Sequence, residues 1–129
     1  LGTTAADFSL PCPATGKQIS WQDIKSDIAT VVMFICNHCP YVLHIANKLA
    51  AIAAHYHNKG VNFVAINAND IVNYPADSPE KMPSFAEKYH FDFPYLFDES
   101  QQTAKDYHAA CTPDFFVFDQ EDIAKLRDV

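Results

Sequence analysis

With 129 residues, 49% of them apolar and 19% charged, the chain is long enough to bury one hydrophobic core and too short for two. Nine basic against 16 acidic side chains give a net charge of −7 with no Lys/Arg cluster, so a phosphate backbone would be repelled and no nucleic-acid partner is expected. Three Gly and eight Pro without a repeat exclude collagen-like and low-complexity classes, and the longest apolar run, Val31-Val32-Met33-Phe34-Ile35-Cys36, falls far below the roughly 18 residues of a membrane span.

Residues 1–30 carry Pro11, Pro13 and Gly16 and a short alternating segment at Ile19-Ser20-Trp21, and read as an N-terminal extension or hairpin leading into a core of residues 31–129. Val31 to Ile35 is apolar on both faces and β-branched at its start, the pattern of a central strand covered by helices on two sides. Apolar residues then recur at Val42, Ile45, Leu49, Ile52, Ala53 and Tyr56, which predicts an amphipathic helix ending near Gly60, with Pro40 in its first turn. Val61 to Ile66 is a second strand. The unit is β-α-β, so these two strands are expected to be parallel with a right-handed crossover.

Asn67 to Pro83 reads as a long polar connection at the surface near one sheet end, either functional or an insertion. A short helix follows at Ser84–His90, an extended piece at Phe93–Phe97, and another helix at Ser100–His108 with Ser100 as N-cap. Phe115–Phe118 is an all-apolar strand. Asp119–Asp122 turns the chain, and Ile123–Arg127 alternates, so the last two strands form an antiparallel hairpin.

Cysteine usage is too sparse for a disulfide scaffold: Cys36 and Cys39 form one Cys-x-x-Cys pair, and Cys12 and Cys111 stand far from it. Cys36-Asn37-His38-Cys39 falls where a buried strand becomes a helix, so the positive end of that helix faces the sulfur atoms and favours a thiolate. Both thiols lie within one turn, close enough to close a disulfide ring, with the first nearer to solvent and able to attack an external sulfur. His38 is either a second positive charge near the thiolate or a helix-start histidine with no role. The other five histidines are assigned nothing. Two competing readings stand beside the redox dithiol: half a zinc site, which Cys111 and a histidine would have to complete, and a pair of inert buried cysteines. Haem attachment is ruled out by Pro40, where that motif needs a histidine.

Ala110-Cys111-Thr112-Pro113 precedes the next buried strand, and with it the order of motifs resembles the thioredoxin fold. More closely, Asp7-Phe8-Ser9-Leu10-Pro11, Cys36-Asn37-His38-Cys39-Pro40-Tyr41-Val42 and Ala110 through Asp119 resemble the thioredoxin-like members of the alkyl hydroperoxide reductase/thiol-specific antioxidant (AhpC/TSA) family, over nearly the whole chain. The resemblance implies an α/β thioredoxin-like fold, with a central mixed β-sheet flanked by helices. It implies that Cys36 is the attacking nucleophile, Cys39 the resolving thiol, and Thr112-Pro113 a cis peptide facing the dithiol. Thr112 and Pro40 would help bind substrate, and the proline ring would keep metal off the thiols. Cys111 is either a third redox thiol or a small buried apolar residue. No cofactor is implied beyond the redox-active disulfide.

The chain departs from the peroxidase pattern of the larger family. Met33 stands three residues before Cys36, and Cys36 three before Cys39, where that pattern has Thr or Ser; the single arginine, Arg127, is on the final strand. Thiol–disulfide exchange on protein or small-molecule disulfides, with a thiol reductant or oxidant as partner, is therefore preferred over peroxide reduction, and a non-enzymatic zinc-binding or interaction domain is the third reading. Dithiol enzymes work on both sides of the bacterial inner membrane. The expectation here is the cytoplasm, with the periplasm as alternative had a leader been removed. The fold also implies a last helix after the terminal hairpin, for which the chain has no residues left. If nothing else covers that face, Phe116, Phe118 and their neighbours are expected to be partly exposed, which would favour a dimer or a swapped contact.

Overall fold

The computed structural model describes residues 7–37, 40–68, 75–107, 114–119 and 124–127. Strands β1 (Ser9–Cys12) and β2 (Lys17–Ser20) pair antiparallel as a separate hairpin, with Gly16 at φ +72° in the turn. A four-residue helix, α1 (Trp21–Ile24), follows directly. The alternation at Ile19-Ser20-Trp21 places Trp21 at the end of an extended segment. Instead Ser20 opens a helical turn: its backbone N–H donates to Asp23 Oδ2 at 2.9 Å and its hydroxyl lies 3.1 Å from the same oxygen.

The main sheet runs β5-β4-β3-β6-β7, with β3 (Ala29–Phe34), β4 (Val61–Asn67) and β5 (Tyr95–Phe97) parallel, and β6 (Asp114–Asp119) and β7 (Ala124–Arg127) antiparallel. Helix α2 (Pro40–His57) connects β3 to β4, giving the expected parallel unit, and the chain leaves it through Gly60 at φ +88°. The mixed sheet with flanking helices is the thioredoxin-like architecture. Helices α3 (Met82–Lys88) and α4 (Gln102–Asp106) flank β5 in sequence. No helix among the described residues is long and apolar enough to cross a membrane.

Side-chain alternation divides the core in two. Val32, Phe34, Val64, Ile66, Leu96, Phe116 and Phe118 face the hairpin and α1, where Phe8, Leu10, Cys12, Trp21 and Tyr107 cover them. Met33, Ile35, Phe63, Ala65, Tyr95 and Phe97 face Val42, Leu49 and Ala53 of α2 and Met82 and Phe85 of α3. The condition for exposing Phe116 and Phe118 is therefore not met: the hairpin side covers them, and both are buried, at 5% and 2%. In the antiparallel register Val32 lies opposite Phe116 and Met33 opposite Phe115, so it is Phe115 and Val117 that turn to the α2 side, where they are half-buried.

Two further expectations are corrected. The N-cap of α4 is Gln101, at φ +64°, and not Ser100. The buried Asp98 carboxylate accepts the Ala104 N–H at 3.0 Å and Ser100 Oγ accepts the Gln102 N–H at 3.2 Å, so the open N–H groups are met from outside the helix and it starts one residue late. The segment Asn67–Pro83 is not simply a solvated surface connection: Asn67 ends β4, short 3-10 turns form at Pro75–Asp77 and Pro79–Lys81, and Asn67, Asp77 and Met82 are all buried. Asn67 and Asp77 are polar because they satisfy buried backbone groups, not because they meet water.

Candidate functional site

The carboxyl ends of the parallel strands converge, which in an open α/β sheet is where ligands meet the fold. The Ile35 N–H donates to the Ile66 carbonyl at 3.0 Å, so the β3–β4 pairing continues one residue past β3. Cys36 comes next and is wholly buried. The spacing predicts a first thiol nearer to solvent; instead Cys36 is buried, between a residue that still pairs with β4 and an Asn37 anchored by hydrogen bonds. Cys36 is disulfide-bonded, whereas Cys12 is a free thiol buried among the hairpin-side core residues.

Asn37 is held through its backbone N–H and both ends of its side-chain amide. Its backbone N–H donates to Asp77 Oδ1 at 2.6 Å, its Nδ2 donates to the Ala76 carbonyl at 3.0 Å, and its Oδ1 accepts from the Tyr95 hydroxyl at 2.9 Å. Asp77 is fixed in turn, its carbonyl accepting from Asn67 Nδ2 at 2.7 Å. Burial, and secondarily the negative charge of Asp77, hold the Tyr95 phenol well above the usual tyrosine range, so it is a neutral donor to Asn37. The β4 and β5 ends are tied as well, the Asp98 N–H donating to the Asn67 carbonyl at 2.9 Å and Gln101 Nε2 to the Ala68 carbonyl at 2.8 Å.

Among the residues singled out from sequence, Pro40 is the exposed first residue of α2, four positions after Cys36, as its fixed φ and missing N–H suit. His38, Cys39, Cys111, Thr112 and Pro113 lie outside the described residues. The strand that follows them, β6, begins at Asp114, paired with Phe34 two residues before Cys36. Among the described residues no group of three or more His, Cys, Asp or Glu could hold a metal ion; the zinc alternative drew on Cys39 and Cys111, outside that set.

Asp77, Tyr95 and Asn67 were missed by the sequence reading. One signal was there: Asn67 is a lone polar residue closing the apolar run Phe63–Ile66, at the strand end where a site is expected. Asp77, between Pro75 and Pro79, carried no comparable mark.

The model of the AhpC/TSA family matches residues 1–127. Among solved structures, an uncharacterized conserved protein from Geobacillus kaustophilus is 51% identical, with a TM-score of 0.96, covering 98% of this chain and 67% of its own. A hypothetical protein from Sinorhizobium meliloti 1021 is 43% identical, with a TM-score of 0.95, covering 98% of this chain and 69% of its own. A protein from Chlorobium tepidum described as a candidate thiol:disulfide interchange protein DsbE is 26% identical, with a TM-score of 0.81, covering 99% of this chain and 84% of its own. No curated protein matches the chain.

Proposed function

Because the chain belongs to the AhpC/TSA family, we propose that it is a thiol–disulfide oxidoreductase whose Cys36 and Cys39 alternate between dithiol and disulfide. The observation that carries this reading is a disulfide-bonded Cys36 between the end of β3 and the start of an 18-residue helix, whose N-terminal dipole favours a thiolate. The similarity to the Chlorobium tepidum interchange protein supports the same chemistry.

In the reductive direction the Cys36 thiolate attacks one sulfur of a substrate disulfide. The substrate S–S bond breaks, a mixed disulfide forms, and the departing substrate thiolate takes a proton. Cys39, as thiolate, then attacks Cys36, closing the protein disulfide and releasing the second substrate thiol. Two electrons have passed to the substrate, and a partner dithiol returns them; the oxidative direction is the same sequence reversed. In this reading His38 stabilises the thiolate, Thr112 and Pro113 with Pro40 form the surface against which substrate lies, and Cys111 is available as a third thiol. Substrates are protein or small-molecule disulfides. We place the reaction in the cytoplasm; recovery of the protein from the periplasmic fraction of cells would move it there.

The test is turnover of a protein disulfide with a thiol reductant. Wild type cycles, and Cys36→Ser abolishes turnover; activity that survives the substitution overturns the assignment. The family match also favours a second reading, peroxide reduction at Cys36 or Cys39 with Cys111 resolving. Stopped-flow consumption of hydroperoxide no faster than by free cysteine removes it.

A further inference from the structure

We propose that Asp77 and Tyr95 are positioning residues for the dithiol, acting through Asn37 to stabilise its disulfide form; the inference rests on the exchange reaction proposed for Cys36 and Cys39. Asn37 is the first of the two residues between the cysteines. Its three hydrogen bonds reach the 3-10 turn at Pro75–Asp77 and strand β5, two elements distant in sequence from the Cys36 turn. The holding groups are themselves immobilised: Asp77 is fully buried and bonded by Asn67 of β4, and Tyr95 is 4% exposed within the α2-side core. The bonds from Asp77 and Tyr95 are partly shielded from water and their partners are buried, so they are costly to leave unmade, and the bond to the Asp77 carboxylate is charge-assisted.

Forming and breaking a disulfide across two intervening residues demands a particular set of backbone dihedrals between the sulfur atoms. A clamp on Asn37 removes the conformational freedom of one of those residues before the bond forms. The two thiols are thereby held at a higher effective concentration, which favours the disulfide. The clamped arrangement is the one found with Cys36 disulfide-bonded. Releasing it should therefore shift the pair toward the dithiol and make it a stronger oxidant.

The experiment equilibrates the full chain at pH 7 with mixtures of reduced and oxidised glutathione and measures the fraction of disulfide. Two electrons and two protons pass from the protein dithiol to glutathione disulfide, giving two glutathione molecules and the protein disulfide. Tyr95→Phe, which keeps the buried ring and removes only the hydroxyl, should lower the equilibrium constant for disulfide formation about threefold, and Asn37→Ala about tenfold. Tyr95→Phe should add nothing in the Asn37→Ala background, because the two act through one residue. Asp77→Ala should exceed Tyr95→Phe. Should Asp77→Ala fail to fold, Asp77→Asn, which removes the acceptor's charge, should still lower the constant about twofold. A general loss of stability would lower the melting temperature without this pattern. If wild type forms the disulfide and the variants match it, or if Tyr95→Phe acts equally with and without Asn37, the clamp is overturned while the proposed function stands. If wild type exchanges no disulfide with glutathione, the proposed function falls, and the clamp's role in it falls too.

Discussion

The indole of Trp21 meets the ring of Phe118 edge to face, with centroids 5.5 Å apart and planes at 75°. Phe8 lies 6.3 Å from the same indole, so the first residue of α1 pins the N-terminal hairpin against β6. Trp21 is 2% exposed, and Trp21→Ala should cost about 3–5 kcal/mol, a large share of the roughly 5–15 kcal/mol of a typical domain. Urea denaturation measures it; a loss below about 1 kcal/mol would mean the hairpin is not part of the cooperative core.

Gly60 and Gly16 make a controlled pair. Both hold positive φ, but a Cβ on Gly60 would lie 2.6 Å from Ile28 Cδ1, while one on Gly16 has nothing within 4 Å. Gly16→Ala should cost about 1 kcal/mol from backbone strain alone. Gly60→Ala should cost more, and Ile28→Ala in the same chain should recover the difference. Equal losses at the two glycines in thermal melts would show that Ile28 moves aside freely.

Asp98 supplies a hydrogen bond to the first turn of α4 from outside the helix. Asp98→Ala should lower stability by about 1–2 kcal/mol, the usual worth of a cap, and Ser100→Ala by less. Differential scanning calorimetry of the two variants checks the order; a greater loss for Ser100→Ala would restore the serine as the principal cap.

Tyr95 predicts the alkaline limb of the stability curve. Its folded pKa lies above the unfolded value near 10, so the folded state keeps a proton that the unfolded state gives up. Stability is unaffected by this group below about pH 10 and falls as pH rises from there toward the folded pKa. Tyr95→Phe should flatten that limb while costing about 1 kcal/mol at neutral pH. Denaturant midpoints between pH 8 and 11 provide the measurement; an unchanged alkaline slope in the variant would assign the loss to other groups.

Much of the scaffold was legible because its signals are local. The apolar run at Val31–Ile35 and the three-to-four spacing from Val42 to Tyr56 are periodicities that burial itself imposes, and they located β3 and α2 to within three residues. The Cys-x-x-Cys motif likewise marked the strand-to-helix junction. What escaped depended on pairing between distant segments. No feature of Phe115–Phe118 alone says which alternate residues face the hairpin; the register against Val32 and Met33 decides it. A buried Asp77 looks like any loop aspartate until Asn37, forty residues earlier, is found donating to it. The turn at Trp21 is a different case, since Ser20 and Asp23 do spell a capping pattern, but four residues are too few to outweigh the neighbouring strand signal.

The bonds that hold Asn37 also bear on the order in which the molecule assembles. They join positions separated by 40 and 58 residues along the chain, so each closes a long loop, and the Tyr95 bond waits until β4 has docked on β3 and β5 on β4. A chain emerging from the ribosome therefore exposes Cys36 well before Tyr95 exists to restrain its neighbour. In that interval its thiol meets small-molecule oxidants without the hydrogen bond from Tyr95 that restrains Asn37 in the finished fold.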